Sequence, residues 1–257
     1  MKNLDASKKN YKFPIGAVFA ILAGFAVGIN IMLYIIQRTA FSFVIFQQGG
    51  FSNLLGSGIY TGLFLIEQFI FMVSLFGLGA ALLLKQRKML LLAIPIAMIF
   101  SCFIAISCYM FDMLSMIQPN FVSVLNFAIC MFAYVLIALS CLILAVIIIS
   151  NCRNNKNKLS FLTWISPIPA IFGHLILFIN SIIVFSSNLQ FFTIYSEHYD
   201  DILYPSSVLL GSIRSILHFS FFGILFALTI FFVARWITNP SKKSSQIEES
   251  DSEQIPE

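Results

Sequence analysis

The chain is built from apolar blocks of twenty or more residues, separated by short polar segments. At 1.5 Å of rise per residue, about 20 apolar residues in a helix cross a hydrocarbon core of roughly 30 Å. Strands of a membrane barrel would instead be short and alternating. Only 10% of the 257 residues are charged and 59% are hydrophobic, whereas soluble domains carry about a quarter charged residues. We therefore predict an all-α, polytopic integral membrane protein whose main surroundings are the lipid bilayer.

The apolar blocks predict a bundle of six transmembrane helices. The spans lie at about residues 13–36, 57–84, 89–111, 121–150, 161–185 and 207–236. Residues 1–12 precede this six-helix domain (residues 13–237), and residues 238–257 form a polar tail that we expect to be disordered. Residues 37–56 are too polar and too glycine-rich to span, which predicts an outer segment lying in the interface. Residues 186–206 are predicted to be a polar outer loop.

The basic residues are sorted by position along the chain. Of the 15 Lys and Arg residues, 13 lie before the first span, in residues 85–88, in residues 153–158, or from Arg235 onward. These four places share one side of the membrane if there are six spans, and the positive-inside rule then makes both termini cytoplasmic. Five or seven spans would destroy this sorting. The net charge of +4 is thus not gathered into a basic arm of the kind that binds nucleic acid.

Small residues form a regular stripe on the first predicted helix. Gly16, Ala20, Gly24 and Gly28 recur at intervals of four residues. Residues four apart lie on one face of a helix, and small side chains there let another helix approach backbone to backbone. The stripe predicts a close helix-packing partner.

The last apolar block contains Arg214 and His218, and a cation inside a transmembrane helix must be compensated. Counted from the middle of each span, His174 and His218 lie at one depth, while Glu67 and Arg214 lie about one turn further outward. Opposite charges at matching depth predict an ion pair between Glu67 and Arg214. The polar residues that we expect to line an intramembrane pocket, open to the outer side, are Asn30, Glu67, His174, Asn180, Arg214 and His218.

The leading functional hypothesis is a small-solute transporter or transport-associated subunit. Arg214 would pair with Glu67 or bind an anionic group, and the histidines would tune the charge of the pocket with pH. The alternative is a membrane scaffold in which the polar layer only holds helices together. Two histidines at one depth also leave open a haem site, or a metal site with Glu67 as third ligand. Two histidines on sequence-adjacent helices are a weak signal for haem, and Arg214 would repel a metal cation, so neither cofactor nor metal is assigned.

Enzyme signatures are missing from the sequence. It contains no HExxH and no GxSxG, and no phosphate-binding or dinucleotide-binding glycine pattern occurs outside the apolar blocks. The sequence therefore favours a protein without catalytic activity.

Overall fold

The computed structural model describes residues 14–49, 51–84, 88–115, 121–152, 159–198 and 203–238, and within these ranges it is helical without any strand. The helices are α1 (Ile15–Gly49), α2 (Phe51–Leu83), α3 (Lys88–Ser115), α4 (Phe121–Cys152), α5 (Leu159–Ile165), α6 (Ile168–His198) and α7 (Leu203–Thr238). Six segments are long and apolar enough to cross a membrane. The chain is therefore an integral, multi-pass membrane protein, as predicted. The cytoplasmic placement of its termini stays a prediction.

The helices extend beyond the predicted spans. The expected interfacial segment 37–56 is not a separate element, because α1 continues to Gly49 and α2 begins at Phe51. The expected outer loop 186–206 is likewise largely helical, since α6 runs to His198 and α7 starts at Leu203. Hydropathy marks where an apolar span ends, but a helix can continue beyond that point because its backbone hydrogen bonds are satisfied within the helix itself. Residues 1–12 and 239–257 lie outside the described residues.

Proline interrupts the fifth span near its N-terminal end, where the sequence has Pro167 and Pro169. A turn at Ser166–Pro167 separates the short helix α5 from α6. The first turn of α6 has backbone N–H groups with no partner inside the helix. One of them, that of Ala170, donates to the Ser140 hydroxyl of α4 over 2.7 Å. By contrast, α3 continues through Pro95.

The long helices form a closed ring in the order α1, α2, α3, α4, α6 and α7, which returns to α1. Helix α4 also contacts α7 across the ring. Large apolar side chains such as Leu75, Phe226 and Ile230 fill the interior, while others such as Phe25 and Phe221 face outward. This distribution is the one expected when the outer surface faces lipid.

The small-residue stripe of α1 is covered by two other helices of the same chain. A Cβ atom at Gly16 would lie 3.0 Å from Val233 of α7, and one at Gly24 would lie 3.1 Å from the Phe76 ring of α2. The helix-packing partners of the stripe are therefore α7 and α2. Between α6 and α7 the approach is closer still, since a Cβ at Gly223 would lie 2.6 Å from the Cβ of His174.

Candidate functional site

A chain of side-chain hydrogen bonds crosses three helices in the middle of the bundle. Arg214 on α7 donates from Nη1 to Oδ1 of Asn30 on α1, over 2.8 Å. The Asn30 amide donates to Oε1 of Gln68 on α2 over 3.0 Å. The Gln68 amide donates in turn to Oε2 of Glu67 over 2.6 Å. The structure thus connects the predicted partners Glu67 and Arg214 through two amides, where the sequence had suggested direct contact.

The order of donors and acceptors along this chain has an electrostatic consequence. Both amides turn a carbonyl oxygen toward the guanidinium and an NH₂ group toward the carboxyl group. The two dipoles are therefore aligned between a cation and an acceptor, and such alignment strengthens each bond in a low-dielectric interior. Asn30 and Glu67 are only 3% and 2% exposed. Ser101 of α3 joins the same region by donating to the Glu67 carbonyl oxygen over 2.8 Å.

Arg214 is also held by aromatic rings. Its guanidinium carbon lies 4.9 Å from the centre of the Tyr34 ring and 5.7 Å from that of Phe64. Both distances are within the range of cation–π attraction, which is worth up to about 2 kcal/mol when desolvated. The Tyr34 hydroxyl accepts a hydrogen bond of 3.1 Å from Nε of Arg38. Tyr34 therefore stands between two arginines.

A cavity with a volume of about 370 Å³ is bordered by Arg38 and Arg214. We call this cavity the solute pocket. It lies in the half of the bundle remote from both termini. Arg38 and Val208, which line it, stand at the ends of their spans. The remaining lining residues include two asparagines, Asn126 and Asn180. None of the described residues that line the pocket is acidic.

A second, much smaller cavity adjoins the solute pocket, and Leu177 and Phe219 line both. It has a volume of about 10 Å³. The polar side chains around it are Glu67, Gln68, Tyr134, His174 and His218. We call this space the inner cavity.

The two histidines approach the inner cavity but are separated by an aromatic ring. The ring of Phe222 stacks on His218 at 5.0 Å between centroids and meets His174 edge-on at 5.2 Å. The His174 ring also donates from Nδ1 to the Ala170 carbonyl over 2.8 Å. The space that both imidazoles border measures only about 10 Å³. Within the described ranges, no group of three His, Cys, Asp or Glu side chains is arranged to hold a metal ion.

All six residues predicted to form the pocket lie in this region, but they do not line one common space. Asn30, Glu67 and Arg214 belong to the hydrogen-bonded chain. The histidines border the inner cavity, and Asn180 borders the solute pocket, where its amide donates to the Cys130 sulfur over 3.3 Å.

Sequence reasoning missed Gln68, Tyr34 and Arg38 as members of the site. Gln68 directly follows Glu67 inside an apolar block, so a polar residue at this place could have been included in the predicted site. Tyr34 lies one turn beyond Asn30 and Arg38 one turn beyond Tyr34, a spacing that places all three on one face of α1.

No family model, curated protein or solved structure is significantly similar to this chain. The function is therefore inferred from the geometry of the two cavities.

Proposed function

We propose that this protein is a small-solute transporter or a transport-associated subunit, and that its solute pocket binds a molecule carrying an anionic group. The observation that carries this proposal is the cavity of about 370 Å³ inside the bundle, bordered by two arginines. Pockets for small ligands typically measure about 300–1,000 Å³ and combine apolar walls with a few convergent polar groups. The solute pocket meets both conditions.

The charge of the pocket selects the class of solute. Arg38 and Arg214 are permanently cationic, and a guanidinium presents planar N–H groups that match carboxylate or phosphate oxygens. The amides of Asn126 and Asn180 add neutral donors and acceptors to the lining of the pocket. A small carboxylate or phosphate-bearing molecule therefore suits this lining better than a cation does.

The hydrogen-bonded chain supplies a link between the pocket and the bundle interior. Arg214 borders the pocket and also contacts Asn30, which connects it to Gln68 and Glu67. An anion beside Arg214 would weaken the attraction between the guanidinium and the amide chain. Binding of solute would then change the packing of α1, α2 and α7, which is what a transporter needs in order to change access.

The pocket can be tested without knowing the solute, by labelling an engineered thiol. Asn126 is half-buried in the pocket wall, and Asn126→Cys places a reporter there. The protein in liposomes is treated with an anionic methanethiosulfonate (sulfonatoethyl) or a cationic one (trimethylammonium ethyl). Labelling at position 126 is followed by mass spectrometry, and each rate is divided by the rate with free cysteine. We expect the anionic reagent to be favoured about tenfold, because clefts of one charge concentrate counter-ions.

Two arginine variants serve as a matched pair. In Arg214→Gln the preference should fall toward unity, whereas Arg235→Gln, at the exposed opposite end of α7, should leave it unchanged. Equal rates with both reagents would overturn the anionic specificity. Absence of labelling at position 126 in the folded protein would show a dry interior and favour the alternative, a membrane scaffold whose polar layer is structural.

A further inference from the structure

The inner cavity is a polar space of the size of one water molecule. Its volume of about 10 Å³ is close to the smallest space that holds a water, which needs about 10–15 Å³ on this measure. It lies among α1, α2, α4, α6 and α7. The carboxyl group, amide, phenol and imidazoles around it offer more than the two to four polar partners that a buried water requires. An apolar cavity of this size would stay empty.

His218 supplies an independent sign that something binds there. Its side chain is only 9% exposed, and its Nδ1 atom is buried with no hydrogen-bond partner in the described part of the chain. A buried polar group left without a partner costs about 1–3 kcal/mol. The ring lies parallel to that of Phe222, with an interplanar angle of 3°, and this stacking holds the imidazole at the cavity wall.

We propose that the inner cavity binds one water molecule and that Glu67 and His218 share an exchangeable proton through it. A proton entering from the aqueous phase protonates the His218 imidazole. The imidazolium then passes its Nδ1 proton to the water oxygen, while the water releases one of its own protons to the Glu67 carboxylate. One N–H bond is broken and one carboxyl O–H bond is formed, the water is regenerated, and the net charge is conserved.

Other titratable or charged groups surround this pair. Tyr134 from α4 and His174 from α6 line the cavity, Arg214 lies one turn away on α7, and Cys102 of α3 is buried beside Glu67. Helix α1 faces the region with the neutral amide of Asn30. The only permanent cation in this set is Arg214, and it reaches Glu67 through the amide chain. A proton on Glu67 would therefore weaken the acceptor at the end of that chain.

The proton site gains a role if the solute pocket binds an anion, and this part of the inference rests on the proposed function. Leu177 and Phe219 separate the two cavities and belong to both walls. An anion in the solute pocket attracts the Arg214 guanidinium and weakens its hydrogen bond to Asn30. A proton on Glu67 weakens the hydrogen bond from Gln68 at the other end of the amide chain. The two events favour one another, so the ion coupled to the solute would be a proton.

Infrared spectroscopy on the purified protein tests the water and the proton separately from the solute. In wild-type protein, replacing H₂¹⁶O by H₂¹⁸O should shift an O–H stretching band of an isolated internal water. The band should be lost in His218→Phe and kept in Ser220→Ala, a control on the same helix. A carboxylic acid C=O band should grow as the buffer is changed from alkaline to neutral, a range in which exposed Asp and Glu side chains stay ionised, and Glu67→Gln should remove that change.

The wild-type isotope measurement tests the water even where a variant fails to fold. The absence of an isotope-sensitive internal band would show that the cavity is dry and would overturn the proposal. A carboxyl band that Glu67→Gln leaves intact would place the proton elsewhere and overturn it too. Neither result depends on thiol labelling at position 126, so a failure here is distinguishable from a failure of the solute pocket.

Discussion

Asn30 is the residue on which the polar network depends most. Its side chain accepts from Arg214 and donates to Gln68, so it satisfies groups on two other helices at once. Removal of one partner from a buried hydrogen bond leaves the other unsatisfied, which costs more than the net value of the bond. The sequence predicted Asn30 as a member of the polar pocket but contained no indication of which neighbours it would contact.

We expect Asn30→Ala to lower the free energy of unfolding by about 2 kcal/mol, since it breaks one charge-assisted bond and one neutral bond. Asn180→Ala is the matched control. Its described hydrogen bond is a weak one to the Cys130 sulfur, so the loss should be about 0.5 kcal/mol. Unfolding of both variants in the same detergent measures the difference. Equal losses would mean that the network contributes nothing beyond ordinary helix contacts.

At the scale of the helices, close approach at glycine decides where the site forms. The backbone of α7 at Gly223 meets the side-chain base of His174 on α6. This contact brings the two histidine-bearing helices together and lets Phe222 contact both imidazoles. Hydropathy predicted that both helices exist, but it indicated neither their full lengths nor the faces on which they touch.

Gly223→Ala should force α6 and α7 apart. The new methyl group would fall 2.6 Å from the Cβ of His174, and overpacking of this kind costs about 1–3 kcal/mol. Gly62→Ala provides the comparison, because a Cβ at position 62 meets nothing within 4 Å, and its effect should stay within about 0.5 kcal/mol. Thermal unfolding in detergent measures both. A neutral Gly223→Ala would show that the interface yields easily.

At the scale of the whole molecule, closure of the ring creates both cavities. Helix α7 completes the ring by packing against α1 and α6 and also contacts α4 across it. The solute pocket then lies at the end remote from the termini, and the inner cavity lies deeper. The positive-inside rule predicts that the pocket end faces away from the cytoplasm.

Epitope tags can test this orientation. Antibody is added on the side of the membrane opposite the cytoplasm. Tags fused to the two ends of the chain should then be accessible only after the membrane is permeabilised. A tag inserted between Asp200 and Asp201 should show the opposite accessibility. Termini found on opposite sides would contradict the six-span arrangement, and both termini found outside would contradict the orientation alone.

The sequence alone determined the class of protein and the number of apolar spans, and it predicted a depth for each polar residue. This was possible because helical rise and bilayer thickness convert a position in the chain directly into a depth. Only the tertiary structure decided how each helix is rotated and which helices are neighbours. Those properties depend on packing between residues far apart in the chain, such as Arg214 and Asn30. For that reason Glu67 and Arg214 were predicted to lie together, while their connection through the amides of Asn30 and Gln68 was not predicted.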